Sequence, residues 1–409
     1  MSELWDFIVI GGGASGLAAA ITASSYGDNV LLLEKSASLG RKIAASGNGR
    51  CNLMNNGTLR YYGNAEFAEK VFLSCNQKKL EHFWNSMGLF LCEENEGRIY
   101  PFSFHSGSVL EVLKTNLKKR HIHILLQTSA QKCIYSKGLF SVTTDNGQFD
   151  AKRILISTGG PAQPRLGGTD SGYRLLQSFG HTLNPPIPAL CPLISDPVSI
   201  SGLSGIRVRC SLHLLDNKKQ IVQNKSGEIL FTDTGISGIC AMQMARFIND
   251  SCKTIEIDFL SRFNKNPDDV FHILSEKKEK LYGIPETAIL SGILVPKLAY
   301  AVFKQSKIPF VNQTADQITK EELKALIHCL YHYKVHVTGT KGMDDAQVSA
   351  GGIQCSEFSP DNMESYLIPG LFASGEVLDV DGDCGGYNLM FAFATGILAG
   401  QNRRKEIIS

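Results

Sequence analysis

The chain has 409 residues, 43% of them hydrophobic and 20% charged, and a formal net charge of +2. That length exceeds one compact core, so two or three domains are expected. The near-neutral balance argues against a polybasic nucleic-acid surface and against an acidic tail. Eleven cysteines, scattered from Cys51 to Cys384 with Cys252 among them, are odd in number and never spaced C-x-x-C. This disfavours a disulfide framework, a zinc knuckle and a dithiol relay, and fits reduced thiols in a cytoplasm.

Phe7 to Ile21 is apolar, but Glu3 and Asp6 precede it and glycines interrupt it, unlike a signal peptide. Asp6 to Ile10 suits a buried parallel strand, Gly11 to Gly16 a turn, Leu17 to Tyr26 a helix, and Val30 to Leu33 a second strand. Together they make one βαβ unit. After a mixed region from Ser36, Val109 to Lys119 reads as helix. Ile122 to Leu126, Lys132 to Tyr135 and Phe140 to Thr144 read as strands, with a hairpin turn at Asp145-Asn146-Gly147. Arg153 to Ser157 is another buried-strand run.

Pro185, Pro186, Pro188 and Pro192 predict an extended crossing between domains. Beyond them, Arg207 to Leu215 and Glu228 to Thr232 predict a small antiparallel sheet or barrel within about 191–260. A helical part follows over about 266–333, opened by Asn266-Pro267-Asp268, restarted at Thr319 with capping-box spacing to Glu322, and punctuated by Pro285, Pro296 and Pro309. Leu371 to Gly375 reads as a last strand and Tyr387 to Gln401 as a last helix. The apolar run Asn388 to Gly400 is too short to span a bilayer, so no membrane segment is expected. The simplest organisation is a discontinuous nucleotide domain, 1–190 with 340–409, carrying an inserted domain at 191–339.

Gly11, Gly13 and Gly16 form G-x-G-x-x-G between strand and helix. The first glycine permits the tight turn, the second lets a diphosphate approach the backbone, and the third lets helix and strand pack closely. Amides at the helix start face the anion. Glu34, eighteen residues after Gly16 at the end of the second strand, is placed to accept from a ribose diol. The pattern alone does not separate FAD from NAD. At the far end, Gly375-Glu376 closes a strand, and Asp379, Asp381 and Asp383 alternate before Gly385-Gly386-Tyr387-Asn388-Leu389 opens the helix. Such a loop suits a ribityl chain and the electron-rich edge of a flavin. A calcium loop is the competing reading. It lacks the helix-side acid, because Met390 stands there.

Gly40-Arg41-Lys42 with Ser46-Gly47-Asn48-Gly49-Arg50-Cys51-Asn52 resembles the flavin-binding loop of the bacterial BaiN/YhiN-like (HI0933-like, aminoacetone-oxidase-like) flavoproteins. Thr158-Gly159-Gly160, Gly168 to Tyr173, Gly227 to Thr232 and Gly375 to Gly382 are similar to that family in the same order. The resemblance implies an α/β chain with a glutathione-reductase-like, Rossmann-type FAD domain and an inserted β-barrel plus helical domain. It implies that Gly11, Gly13, Ala14, Ser15, Gly16, Glu34, Lys35, Arg41, Lys42, Ser46, Gly47, Asn52, Thr158, Gly159, Gly375, Glu376, Gly386, Tyr387, Asn388 and Leu389 lie along FAD, with Ala130 near the adenine. Asn48 and Cys384 depart from the family pattern.

With FAD carrying the redox chemistry, the leading expectation is an oxidoreductase that reduces a small organic molecule such as an unsaturated ketone. No second dinucleotide motif follows a strand, so NAD(P)H would visit only transiently. Oxidation of an amine is the runner-up. An RNA-modifying flavoprotein comes third, because no basic, aromatic stripe supports nucleic-acid binding. Tyr100, His105, Arg165 and Tyr387 are the candidate proton donors, and Cys384 a candidate thiol beside the ring. His332 and His336 lack a third ligand, so no metal site is read. Nothing in the pattern sets an oligomeric state.

Overall fold

The computed structural model of the chain describes residues 3–251, 253–308 and 313–401, so Cys252 and Pro309 lie outside the described residues. The chain folds as two compact units, Met1–Pro188 with Ala346–Ser409, and Ala189–Asp345.

In the first unit, strands β1 (Leu4–Ile10) and β2 (Val30–Leu33) flank helix α1 (Ala14–Ser25) in sequence. Phe7, Ile8, Val9, Leu31 and Leu32 are wholly buried, as near-continuous apolar runs in a parallel sheet must be. The strand order is His123–Leu125, β2, β1, then Gly147–Ile156. That last strand does two jobs. Its first half pairs antiparallel with Leu139–Thr144, and its second half lies parallel to both β1 and Leu371–Ala373. It therefore begins well before the apolar run at Arg153, because the hairpin half is only partly covered and carries a mixed sequence.

The C-terminal helix Tyr387–Gln401 crosses α1 at backbone contact. A Cβ at Gly396 would stand 2.2 Å from the Ser15 carbonyl oxygen, and one at Gly400 would stand 2.6 Å from that of Ala19. Glycine at these positions lets the two ends of the chain pack together. The proline-rich segment is extended as expected: Leu183–Ala189 pairs with Val348–Ile353 as a two-stranded ribbon, which tolerates proline.

The second unit holds a closed barrel in the order Leu193–Ser195, Gly235–Ser237, Ile221–Thr232, Arg207–Leu215, Thr254–Asp258, Tyr333–Thr340. The last of these follows the helices in sequence, so the barrel does not end near residue 260. Tyr333, Val335 and Val337 are buried while Lys334, His336 and Thr338 are exposed, a period of two. Helices Pro267–Glu279 and Lys320–Tyr331 start at the expected Asn266 and Thr319, each with a reciprocal capping box. His332 ends the second helix and His336 lies on the strand, so they share no helix face. Among the described residues no cluster of three His, Cys, Asp or Glu is placed to hold a metal, and no helix is long and apolar enough to cross a membrane. The architecture is α/β and Rossmann-type, with an inserted barrel and helices.

Candidate functional site

The glycine turn divides its tasks by geometry. Gly11 has φ +113°, and a Cβ there would meet the Ser157 carbonyl oxygen at 2.5 Å; one at Gly16 would meet the Gly11 carbonyl oxygen at 1.9 Å. Both are packing constraints. Gly13 differs: no heavy atom lies within 4 Å of the point its Cβ would occupy. The backbone is open at the position where the motif brings a diphosphate close. Glu34 accepts the Gly12 amide at 2.7 Å through Oε2 and the Ser36 amide at 2.7 Å through Oε1. The Thr128 amide donates to the Glu34 carbonyl, which brings the segment leading to Ala130 beside Glu34.

Cations gather next to this turn. Burial lowers the Lys35 pKa, although Glu34 and Asp170 oppose the shift. Arg41 donates to the Arg165 carbonyl at 2.6 Å. Lys42 Nζ lies 2.8 Å from Glu376 Oε2, joining the flavin-type loop to the C-terminal segment. The other oxygen, Glu376 Oε1, accepts the Ser349 amide at 2.9 Å and its hydroxyl at 2.8 Å. Burial alone would raise the Glu376 pKa; Lys42 and the Ser349 donors outweigh it and hold the carboxyl below its ordinary value. Gly159 (φ +72°) lies close by, its Cβ direction 3.7 Å from Glu376 Oε2. Ser15 and Gly375 also meet there: the Ser15 hydroxyl reaches the Ser374 carbonyl at 3.3 Å.

The alternating acids do not converge. Asn184 Nδ2 donates to Asp379 at 2.7 Å, while the Tyr62 hydroxyl donates to Asp383 at 2.9 Å. Asp379 and Asp383 thus have separate partners within the fold. The loop is part of the scaffold. Val380–Gly382 pairs with Tyr61–Gly63, and the Asn388 amide exchanges two hydrogen bonds with the Gly382 backbone, at 2.8 and 2.9 Å. Gly385 (φ +134°) and Gly386 (φ +101°) then turn the chain into the helix. A Cβ at Gly386 would meet the Met54 carbonyl oxygen at 2.4 Å and Asn52 Oδ1 at 2.7 Å. Gly47 (φ +57°) and Asn48 (φ +55°) bend the preceding loop, and Ser46 bonds back to the Ile43 carbonyl at 2.8 Å. Asn is among the few residues that adopt this left-handed conformation readily, so Asn48 meets the turn's demand at φ +55°.

The candidate proton donors fare differently. The Tyr387 hydroxyl is directed at the Thr58 carbonyl (3.0 Å) and Asn55 Oδ1 (3.2 Å), and burial raises its pKa. In the fold its hydroxyl therefore ties the start of the C-terminal helix to the Asn55–Thr58 segment. His105 Nδ1 accepts the Gly107 amide at 3.2 Å and caps the helix Ser106–Lys119. Arg165 is exposed and contributes its carbonyl to Arg41. Tyr100 is buried, with the Arg50 guanidinium 4.5 Å above its ring. Burial also raises the Cys384 thiol, so it is not a ready thiolate. Leu389 is half-buried in the first turn of the helix.

Ser349 and Asn55 are not legible in the sequence. Asn55 Nδ2 donates to the Gly385 carbonyl at 2.8 Å and so fixes the helix entry. Each partner lies far away along the chain, and neither residue sits in a recognisable motif.

A glycine turn at one end of the chain and a glycine-opened helix at the other, joined through Lys42 and Glu376, define a Rossmann-type FAD-dependent oxidoreductase. The model of the HI0933-like protein Rossmann domain matches residues 5–402, and the chain belongs to that family. It is 36% identical over 403 residues to the 3-dehydro-bile acid delta(4,6)-reductase of Clostridium scindens, covering 96% of this chain and 97% of that protein. It is also 28% identical over 417 residues to the ribosomal RNA dihydrouridine synthase of Haemophilus influenzae, covering 97% of each. The corresponding Escherichia coli synthase is 27% identical over 407 residues, covering 98% of each.

The residues fit FAD. The backbone is open at Gly13, Lys35, Arg41 and Lys42 supply cations beside the turn, and Asn52 Oδ1 is a buried acceptor with no partner.

Proposed function

We propose that the chain saturates a carbon–carbon double bond conjugated to a carbonyl group, with FAD as resident cofactor and NAD(P)H as transient donor. One observation carries this reading: a full-length, 36% likeness to a named delta(4,6)-reductase, on a chain whose helix Tyr387–Gln401 opens at a tight glycine pair. FAD, when bound, supplies the hydride chemistry.

The chain's residues hold and polarise it. The Gly11–Gly16 turn with Lys35 and Arg41 receives the diphosphate, and Glu34 the ribose diol. Glu376, fixed by Lys42 and Ser349, accepts from the ribityl chain. The first amides of the helix beginning at Tyr387 would stabilise the negative charge that a bound flavin gathers on reduction. The substrate in this reading is a small unsaturated ketone.

A second reading keeps the chemistry and changes the substrate. Dihydrouridine is uridine with its ring double bond saturated, also conjugated to a carbonyl. Two relatives aligned over nearly the whole chain are named for making it in ribosomal RNA. The test is anaerobic mixing of the FAD-loaded protein with NADH or NADPH while following flavin absorbance, then addition of a steroid-type enone or uridine-containing RNA. Prompt bleaching by the nicotinamide, followed by recovery with the enone, supports the first reading. Recovery with RNA alone moves the substrate to uridine. Bleaching only by an amine overturns both.

A further inference from the structure

Asn52 lies in the loop between the turn at Ser46–Gly49 and the strand pair Met54–Asn55 with Arg98–Pro101. It is 9% exposed, and its Oδ1 is buried without a hydrogen-bond partner. A buried acceptor left unpaired costs free energy on the order of a lost hydrogen bond, so native structures seldom keep one without a reason. Its surroundings supply the reason. Gly386, at the entry to the C-terminal helix, is the residue packed against it: a Cβ there would come within 2.7 Å of Oδ1. Asn52 therefore sits at the N-terminal end of a fifteen-residue helix, whose amides and dipole attract an electron-rich group.

We propose that Asn52 Oδ1 accepts the N3–H of the flavin ring. The inference rests on the reading that FAD occupies this site. A helix N-terminus takes the electron-rich N1–C2=O edge of an isoalloxazine, and N3–H is the only ring donor adjacent to C2=O in the oxidised form. An orphan acceptor beside that N-terminus and a lone donor beside that carbonyl are complementary. Asn55, three positions on, cannot serve. Its Oδ1 already accepts the Gly57 amide at 2.7 Å, and its Nδ2 donates to the Gly385 and Glu96 carbonyls. Asn52 is thus a cofactor-binding residue that reads the imide edge of the ring.

The experiment compares FAD with N3-methyl-FAD, which lacks the donor. Both are titrated into the full chain stripped of flavin, and binding is followed by quenching of flavin fluorescence. The wild-type chain binds the methylated cofactor about tenfold or more weakly than FAD. Asn52→Ala binds FAD more weakly and binds the two cofactors within about threefold of each other, because the acceptor is gone and space for the methyl group has appeared. Asn52→Asp keeps an acceptor, recovers FAD binding relative to Asn52→Ala, and lowers the flavin midpoint potential through its charge. Equal affinity of the wild-type chain for both cofactors overturns the proposal while leaving FAD binding intact. So does discrimination that persists undiminished in Asn52→Ala. The wild-type comparison stands even if a variant fails to fold, and failure of FAD itself to bind overturns the underlying reading as well.

Discussion

Lys42 and Glu376 are 334 positions apart in sequence, and their Nζ and Oε2 atoms lie 2.8 Å apart. The pair ties the loop after the dinucleotide turn to the strand end that precedes the C-terminal helix. Both side chains are partly shielded, at 28% and 19% exposure, so the contact is worth more than an open surface pair.

Lys42→Met leaves Glu376 with only the Ser349 donors against the cost of burial. The carboxyl pKa rises, stability falls by about 1–2 kcal/mol, between the surface and buried limits, and FAD binds roughly tenfold more weakly. Adding Glu376→Gln removes the stranded charge and restores part of the stability, though not the affinity. Urea unfolding and flavin titration of the two single variants and the double variant form the check. Strictly additive losses would show that the two residues do not act as a pair.

The dinucleotide end of this site is readable in the sequence because its signals are local. Gly11, Gly13, Gly16 and Glu34 fall inside one βαβ unit, so strand, turn, helix and acid are fixed by neighbours in sequence. The helix entry at Gly385-Gly386 is legible from its glycine pair ahead of an apolar run, whereas the cation cluster is legible only through family resemblance. What bonds to them is not, since Ser349 reaches Glu376 and Asn184 reaches Asp379 only after folding. Tyr333–Thr340 escapes the pattern for another reason. Its alternation directly follows the helical run Lys320–Tyr331, and a strand abutting a helix blurs both periods.

Gly13→Ala and Gly16→Ala should separate binding from folding. At Gly16 the new Cβ meets a backbone oxygen at 1.9 Å, and the strand cannot yield without moving the helix. That variant loses about 2 kcal/mol or more of stability, an overpacking cost, and binds little FAD. At Gly13 the φ of −85° accepts alanine, and the methyl group enters open space. Gly13→Ala therefore unfolds within about 0.5 kcal/mol of the parent in the absence of flavin, yet binds FAD at least tenfold more weakly because the methyl occupies the approach to the diphosphate. Unchanged affinity in Gly13→Ala would place the diphosphate elsewhere.

The Cys384 thiol is raised by burial, with Asp383 and Glu96 adding to the shift against Arg98. It is expected to react slowly with iodoacetamide at neutral pH, more slowly than a free thiol of ordinary pKa. Cys384→Ser should leave the rate of flavin reduction by NAD(P)H within about threefold. Peptide mapping after timed alkylation and stopped-flow reduction of the variant test both points. Rapid, selective labelling of Cys384 would restore it as a reactive group.

His181 makes stability depend on pH away from the flavin site. Its ring is stacked on Phe358 at 4.4 Å, Nδ1 lies 2.7 Å from Glu357 Oε2, and Nε2 lies 3.0 Å from the Ser365 hydroxyl. Burial lowers its pKa below the ordinary 6.5, and the Glu357 carboxylate only partly opposes that. The folded ring is therefore neutral, with Nδ1–H donating to Glu357 and Nε2 accepting from Ser365. Because the unfolded chain takes up the proton more readily, stability is fully present above about pH 6.5 and declines as pH falls towards the folded pKa, where the decline stops. Glu357, itself held below its ordinary 4.5 by Thr182 and His181 against the cost of burial, adds a separate loss at lower pH. His181→Gln should cost about 1–3 kcal/mol at pH 8 through lost packing and hydrogen bonds. It should also flatten the decline that begins below about pH 6.5. Urea midpoints of both proteins below that pH decide the matter, and a wild-type curve already flat there would mean that the imidazole is protonated in the fold.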